Sequence, residues 1–166
     1  NLNGESSGES IDNHILQINA DNFCEADDNL LANGNLIAVK DTDMDFTKPA
    51  ELKNRLSSDY YAIKPINGID HNFALKSKGL AATVYSPATG IFVECSTDLP
   101  GIQIYTGNMI NVKSAGKCGK IYGIHGALCL ETQGFPNSTS FKHFPSPVLK
   151  KDEIWVSKTT YKLGTK

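Results

Sequence analysis

Arginine is nearly missing from this sequence: Arg55 is the single one among 16 basic residues. That excludes bidentate reading of phosphates or base edges by arginines as a main activity. Excess charge is missing too. Sixteen Lys+Arg stand against 18 Asp+Glu, a formal net charge of −2, which leaves no electrostatic footprint for wrapping nucleic acid. No apolar run approaches a membrane span, and mean hydropathy is −0.27. Cysteine is sparse. Cys24, Cys95, Cys118 and Cys129 form no C-x-x-C pair, and no two histidines stand three to five apart, so a zinc finger is excluded. The four are expected to pack as reduced, small hydrophobes.

What is present is enough apolar material, 40% of 166 residues, to bury the core of one domain. Residues 1–13 are polar and lack the apolar stretch of a signal peptide. The apolar pattern is short and alternating, which predicts strands over 14–20, 36–40, 80–86, 90–96, 102–106, 127–132 and 153–163. Ser86-Pro87-Ala88-Thr89-Gly90 reads as a turn, making 80–97 a hairpin. One short helix is expected, capped by Thr47 with Pro49 in its first turn and Leu52 and Leu56 on one face. Many strands and little helix predict an all-β fold, an antiparallel β-sandwich.

Three segments carry more polar side chains than a plain sandwich needs: 67–73, 100–108 and 129–136. Each sets an acid or an amide beside an aromatic residue or a glycine. Sugar recognition uses that mixture, because hydroxyls at fixed positions need paired donors and acceptors while an aromatic covers the C–H side of the ring. Ordinary loop polarity is the competing explanation of the composition.

The same segments carry a resemblance. Gly68-Ile69-Asp70-His71-Asn72-Phe73 resembles the G-Y-D-H-N-F motif of the aldose 1-epimerase (galactose mutarotase) family, with Ile69 where Tyr is usual. Pro100 to Asn108 is similar to P-G-V-Q-F-Y-T-G-N, and Leu130-Glu131-Thr132-Gln133 to L-E-T-Q, followed by Phe135-Pro136 and Phe144-Pro145-Ser146. Leu16 to Asp21 resembles the L-Q-I-x-A-D strand. The motifs run in the family's order over nearly the whole chain. Departures fall in one loop: Gly134 stands where the family has His, and Ser138 to Lys142 where it has S-P-N-H-P.

The resemblance implies a galactose mutarotase-like sandwich of which residues 1–166 are the C-terminal part, since members are roughly twice as long. Asn1-Leu2 is similar to the tail of the family's N-H-x-Y-F-N-L motif, so the acid His of that motif is expected upstream. The implied activity is exchange of the α and β anomers of a free hexose, galactose or glucose, by acid/base ring opening, for which neither a metal nor a cofactor is expected. Glu131 is the implied base, and Asp70 and Gln103 the implied ligands of sugar hydroxyls. On its own pattern Glu131 reads either as a half-buried carboxylate raised toward neutrality or as an edge-strand Glu facing solvent. Asp70 reads equally as a turn cap and Gln103 as a strand residue facing water. Gln133 is expected to help shape the site. Phe135, Phe144 and Trp155 are expected to pack in the core or in loops. A sugar-binding module without turnover is the alternative function. The expected partners are a small-molecule aldose and the N-terminal half or a second copy, with no nucleic acid and no membrane; the expected location is cytoplasmic.

Overall fold

The computed structural model describes residues 1–166. Its strands are β1 (Ile15–Ile18), β2 (Ala20–Ala26), β3 (Ala32–Ala38), β4 (Ala50–Glu51), β5 (Asp70–Leu75), β6 (Gly79–Tyr85), β7 (Ile91–Thr97), β8 (Gly101–Tyr105), β9 (Cys129–Gln133) and β10 (Thr159–Thr165). They form two antiparallel five-stranded sheets, in the orders β10-β7-β6-β1-β4 and β3-β2-β5-β8-β9. The expected sandwich is therefore the observed architecture. No helix is long and apolar enough to cross a membrane.

Alternation builds the core. Leu16, Ile18, Val84 and Cys95 of the first sheet, and Phe23, Phe73, Ile102 and Ile104 of the second, are all buried in one cluster. Phe73 is its centre, with ring centroids 6.4 Å from both Phe23 and Phe46. The hairpin of β6 and β7 turns where expected: the Gly90 N–H donates to the Ser86 carbonyl at 2.9 Å, and Gly90 takes φ +73°, which glycine adopts without a Cβ penalty. At the far side of the sandwich the Tyr161 hydroxyl of β10 donates at 2.7 Å to the Leu130 carbonyl of β9, tying the two sheets together.

Three expectations are corrected. The helix α1 spans only Leu52–Leu56 and starts after Glu51, not Thr47. Ala50 and Glu51 pair with β1 instead, and Thr47 bonds the Asp45 carboxylate; Leu52 and Leu56 are nonetheless both buried. The strand expected over 14–20 stops at Ile18, and the chain crosses to the other sheet as β2. The last strand is Thr159–Thr165, whereas 153–158 carries no regular structure and leaves Trp155 64% exposed. Nothing in this chain covers that indole. Arg55 ties α1 to the preceding loop, bonding the Asp43 carboxylate at 3.1 Å and the Thr42 and Asp45 carbonyls.

Two imidazoles are buried. His14 Nε2 accepts from the Leu2 N–H at 2.9 Å, and His71 Nδ1 from the Asp70 N–H at 3.3 Å. A ring nitrogen that accepts must be unprotonated, and burial pulls both pKa values from the ordinary 6.5 to about 4. Between those values the unfolded chain binds more protons than the folded one.

Phe73→Ala should cost about 3–5 kcal/mol of stability, the usual penalty for emptying an aromatic core position, read from the urea unfolding midpoint. The stability that comes from keeping His14 and His71 neutral is complete above pH 6.5 and is lost as pH falls toward about 4. The urea midpoint should therefore be lower at pH 5 than at pH 7; a flat profile over that window would contradict the neutral buried rings.

Candidate active site

The face of the second sheet turned away from the core carries the polar residues. Ile102 and Ile104 of β8, and Phe73 of β5, point into the core, so Gln103 and Tyr105, and Asp70 and Asn72, point the other way. Leu130 of β9 packs against the core, which puts Cys129, Glu131 and Gln133 outward as well. The register then aligns them in three rows across β5, β8 and β9: Asp70, Tyr105 and Cys129; Asn72, Gln103 and Glu131; Ala74, Gly101 and Gln133. Directly opposed side chains on such strands lie about 5 Å apart at Cβ, and diagonal ones about 7–8 Å.

The three residues singled out in the sequence are thus placed together. The Gln103 Nε2 donates to Asp70 Oδ1 at 2.7 Å, a short bond of the charge-assisted kind. Glu131 is the cross-strand neighbour of Gln103. Asp70 opens a strand and does not cap a turn. Of the two readings of Glu131, a half-buried carboxylate or an edge-strand residue facing solvent, the second is observed: its side chain is exposed, because β9 is the edge strand of its sheet and no element of this chain overlies it. Both carboxylates reach the field of Cys129. Burial pushes that thiol's pKa up, and the negative charges of Glu131 and then Asp70 add to the rise.

Asn72 and Tyr105 join them on this face, as the two-residue period from Asp70 and from Gln103 requires. Gln133 donates to both Gln103 Oε1 and Asn72 Oδ1 at 3.2 Å. One end of the rows is bordered by an aromatic cluster. Phe135 and Phe144 pack edge to face, centroids 5.1 Å apart, with Phe141 and Cys24. These rings are packing elements, as expected, and present no open face to a sugar. His71 faces the core against Phe23, at 5.4 Å and 88°, and stands apart from the polar rows.

No cluster of three His, Cys, Asp or Glu side chains forms a metal-ligand set. A cavity of about 430 Å³ opens between the N-terminal segment and the loop before β9, lined by Glu5, Ile110, Val112, Lys120 and Tyr122 among others. It holds none of the row residues, and its lining has no carboxylate–amide pair like Asp70 and Gln103. The open face sets two carboxylates and an oriented amide together, groups that can accept from and donate to neighbouring hydroxyls.

Comparison with known proteins bears on the chain as a whole. The family model described as aldose 1-epimerase matches residues 1–162. Galactose mutarotase of Sus scrofa is 40% identical over 156 residues, covering 92% of this chain and 44% of that protein. Galactose mutarotase of Homo sapiens is 36% identical over 167 residues, 99% of this chain and 47% of that protein. The crystal structure of an aldose epimerase homologue from C. elegans superposes with a TM-score of 0.83 at 24% identity, over 97% of this chain and 48% of that one, a likeness of fold. This chain spans a little under half the length of the curated relatives it matches. By its motifs, its sandwich and these matches, the chain belongs to the aldose 1-epimerase family.

Proposed function

We propose that this chain is the C-terminal part of an aldose 1-epimerase that interconverts the α and β anomers of free galactose or glucose. The observation that carries the reading is the middle row: Glu131 stands opposite Gln103, whose amide is held by Asp70 at 2.7 Å. The relatives named as galactose mutarotases favour turnover over a binding module.

In this reading Glu131 takes the proton of the C1 hydroxyl. The C1–O5 bond breaks as an acid from the part of the protein outside this sequence protonates the ring oxygen, giving the open-chain aldehyde. Rotation about C1–C2 presents the other carbonyl face, O5 adds back, and the two protons return. Bonds made and broken balance, and no electrons are transferred to a second reactant. Asp70, acceptor only, takes hydrogens from sugar hydroxyls. Gln103 has its oxygen engaged by Gln133 and offers its remaining N–H. Fixing the hexose against the base serves orientation, and general base catalysis supplies the rest. Four cysteines that are all free thiols suit a reducing compartment, and the cytoplasm is the one proposed.

The remaining half of the family's length is the proposed partner of this chain, with a second copy as the substitute. Val148, Leu149, Ile154, Trp155 and Val156 are all exposed within nine residues, Ile154 at 89%. So concentrated an apolar surface marks an interaction site.

In the full-length protein, Glu131→Gln should slow anomer exchange of freshly dissolved α-galactose by about 10²- to 10⁴-fold, followed by polarimetry. An unchanged rate removes Glu131 as the base. Expressed alone, the 18.0 kDa chain should scatter light as a larger associated species; a monodisperse monomer contradicts the apolar docking surface.

A further inference from the structure

Two amides on the outer face of the second sheet, Asn72 and Gln133, have neither a proton to move nor a sugar contact in that reading. Asn72 is only 1% exposed although it points away from the core, and a buried amide needs partners at both ends. It finds them. Gln133 Nε2 donates to its Oδ1 at 3.2 Å, and its own Nδ2 donates to the Cys24 Sγ at 3.3 Å. The same Gln133 nitrogen donates to Gln103 Oε1, also at 3.2 Å, so each of its two hydrogens has one acceptor.

The direction of every amide in this chain of bonds follows from one end. Asp70 is a carboxylate and only accepts, so the nitrogen of Gln103 must face it and the oxygen of Gln103 must face away. That oxygen is met only by a donor, so Gln133 must present its nitrogen. Turning Gln103 over would set oxygen against carboxylate on one side and nitrogen against nitrogen on the other.

Gly101 makes room for this. It is the β8 residue opposite Gln133, and a Cβ there would stand 2.4 Å from Asn72 Oδ1 and 3.0 Å from its Nδ2. A glycine inside a strand weakens the strand; here it lets the Asn72 amide lie across the β8 backbone to reach Gln133.

We propose that Gln133, anchored by Asn72 over Gly101, is a positioning residue that holds the Gln103 amide with its nitrogen toward the sugar. The proposal rests on the functional reading above, in which Gln103 binds the hexose. With the clamp in place the site shows a donor, the second Gln103 N–H, beside an acceptor, the Asp70 carboxylate. That pair matches two adjacent hydroxyls, one accepting and one donating. Without the clamp the Asp70 bond alone holds Gln103, and the direction of its second N–H is no longer fixed.

The test is steady-state kinetics on galactose with the full-length protein. Gln133→Ala should raise KM about tenfold, the scale of one net hydrogen bond, with kcat within about twofold, since ground state and transition state lose the same contact. Gln133→Glu, nearly the same shape but an acceptor only, should be worse than Ala. Gly101→Ala, which displaces Asn72 and leaves Gln133 in the chain, should raise KM in the same direction. The deciding comparison is a cycle with Gln103→Ala. In that background Gln133→Ala should change KM by less than about twofold, because the residue it acts through is gone. An equal KM rise in both backgrounds, or no rise in Gln133→Ala, overturns the proposal while leaving the proposed function standing. Absence of turnover in the unaltered protein overturns the functional reading instead. The clamp is then read by NMR from exchange of the Gln103 side-chain amide protons with water: faster exchange in Gln133→Ala supports it, and unchanged exchange overturns it.

Discussion

The register of three neighbouring strands is the constraint on which the rest of this molecule depends. Because side chains alternate along a strand, sliding β8 by one residue would turn Gln103 into the core and Ile102 or Ile104 out of it. The apolar face forbids that slip. Ile102, Ile104, Phe73 and the inward edge of Leu130 are packed in one cluster with the opposite sheet, and each such side chain is worth about 1.5–3 kcal/mol when buried. The core thus holds the alignment of Asp70, Gln103 and Glu131 although none of the three belongs to it.

The packed core and the polar rows are separated by the thickness of one sheet. On the inner side, polar groups are few and satisfied: His71 is buried and neutral with a backbone partner. On the outer side, two carboxylates stay near water, and the amides between them are ordered by hydrogen bonds that begin at Asp70. An open polar face of this kind costs little to build, since its charged groups keep their hydration. The Phe135–Phe144 cluster borders it.

Much of this could be read from the residues. Alternation in 80–86, 90–96 and 102–106 located β6, β7 and β8 to within a residue, and the turn at 86–90 was correctly placed. The motifs around Asp70, Gln103 and Glu131 named the residues that the register aligns. What stayed hidden was non-local. β5 was not read as a strand, because Asp70-His71-Asn72 is polar on both sides, and only its central position between β2 and β8 explains why those residues are extended. The switch of the chain between sheets at Asn19 leaves no periodicity signal. The sequence pattern leaves Glu131 open between half-burial and an edge facing solvent, and the choice follows from β9 being an edge, a property of the sheet and not of the segment. The role of Gly101 appears only when Asn72, far off in sequence, is seen lying across it.

The central claim is that one hexose is held between Asp70, Gln103 and Glu131 on the open face of the second sheet. A crystal structure of the full-length protein with galactose bound tests it most directly. The account predicts the anomeric oxygen within hydrogen-bonding distance of a Glu131 oxygen, with neighbouring hydroxyls on Asp70 and on the Gln103 nitrogen. Galactose seated instead in the cavity beside Lys120 and Tyr122, with the three rows untouched, would contradict it.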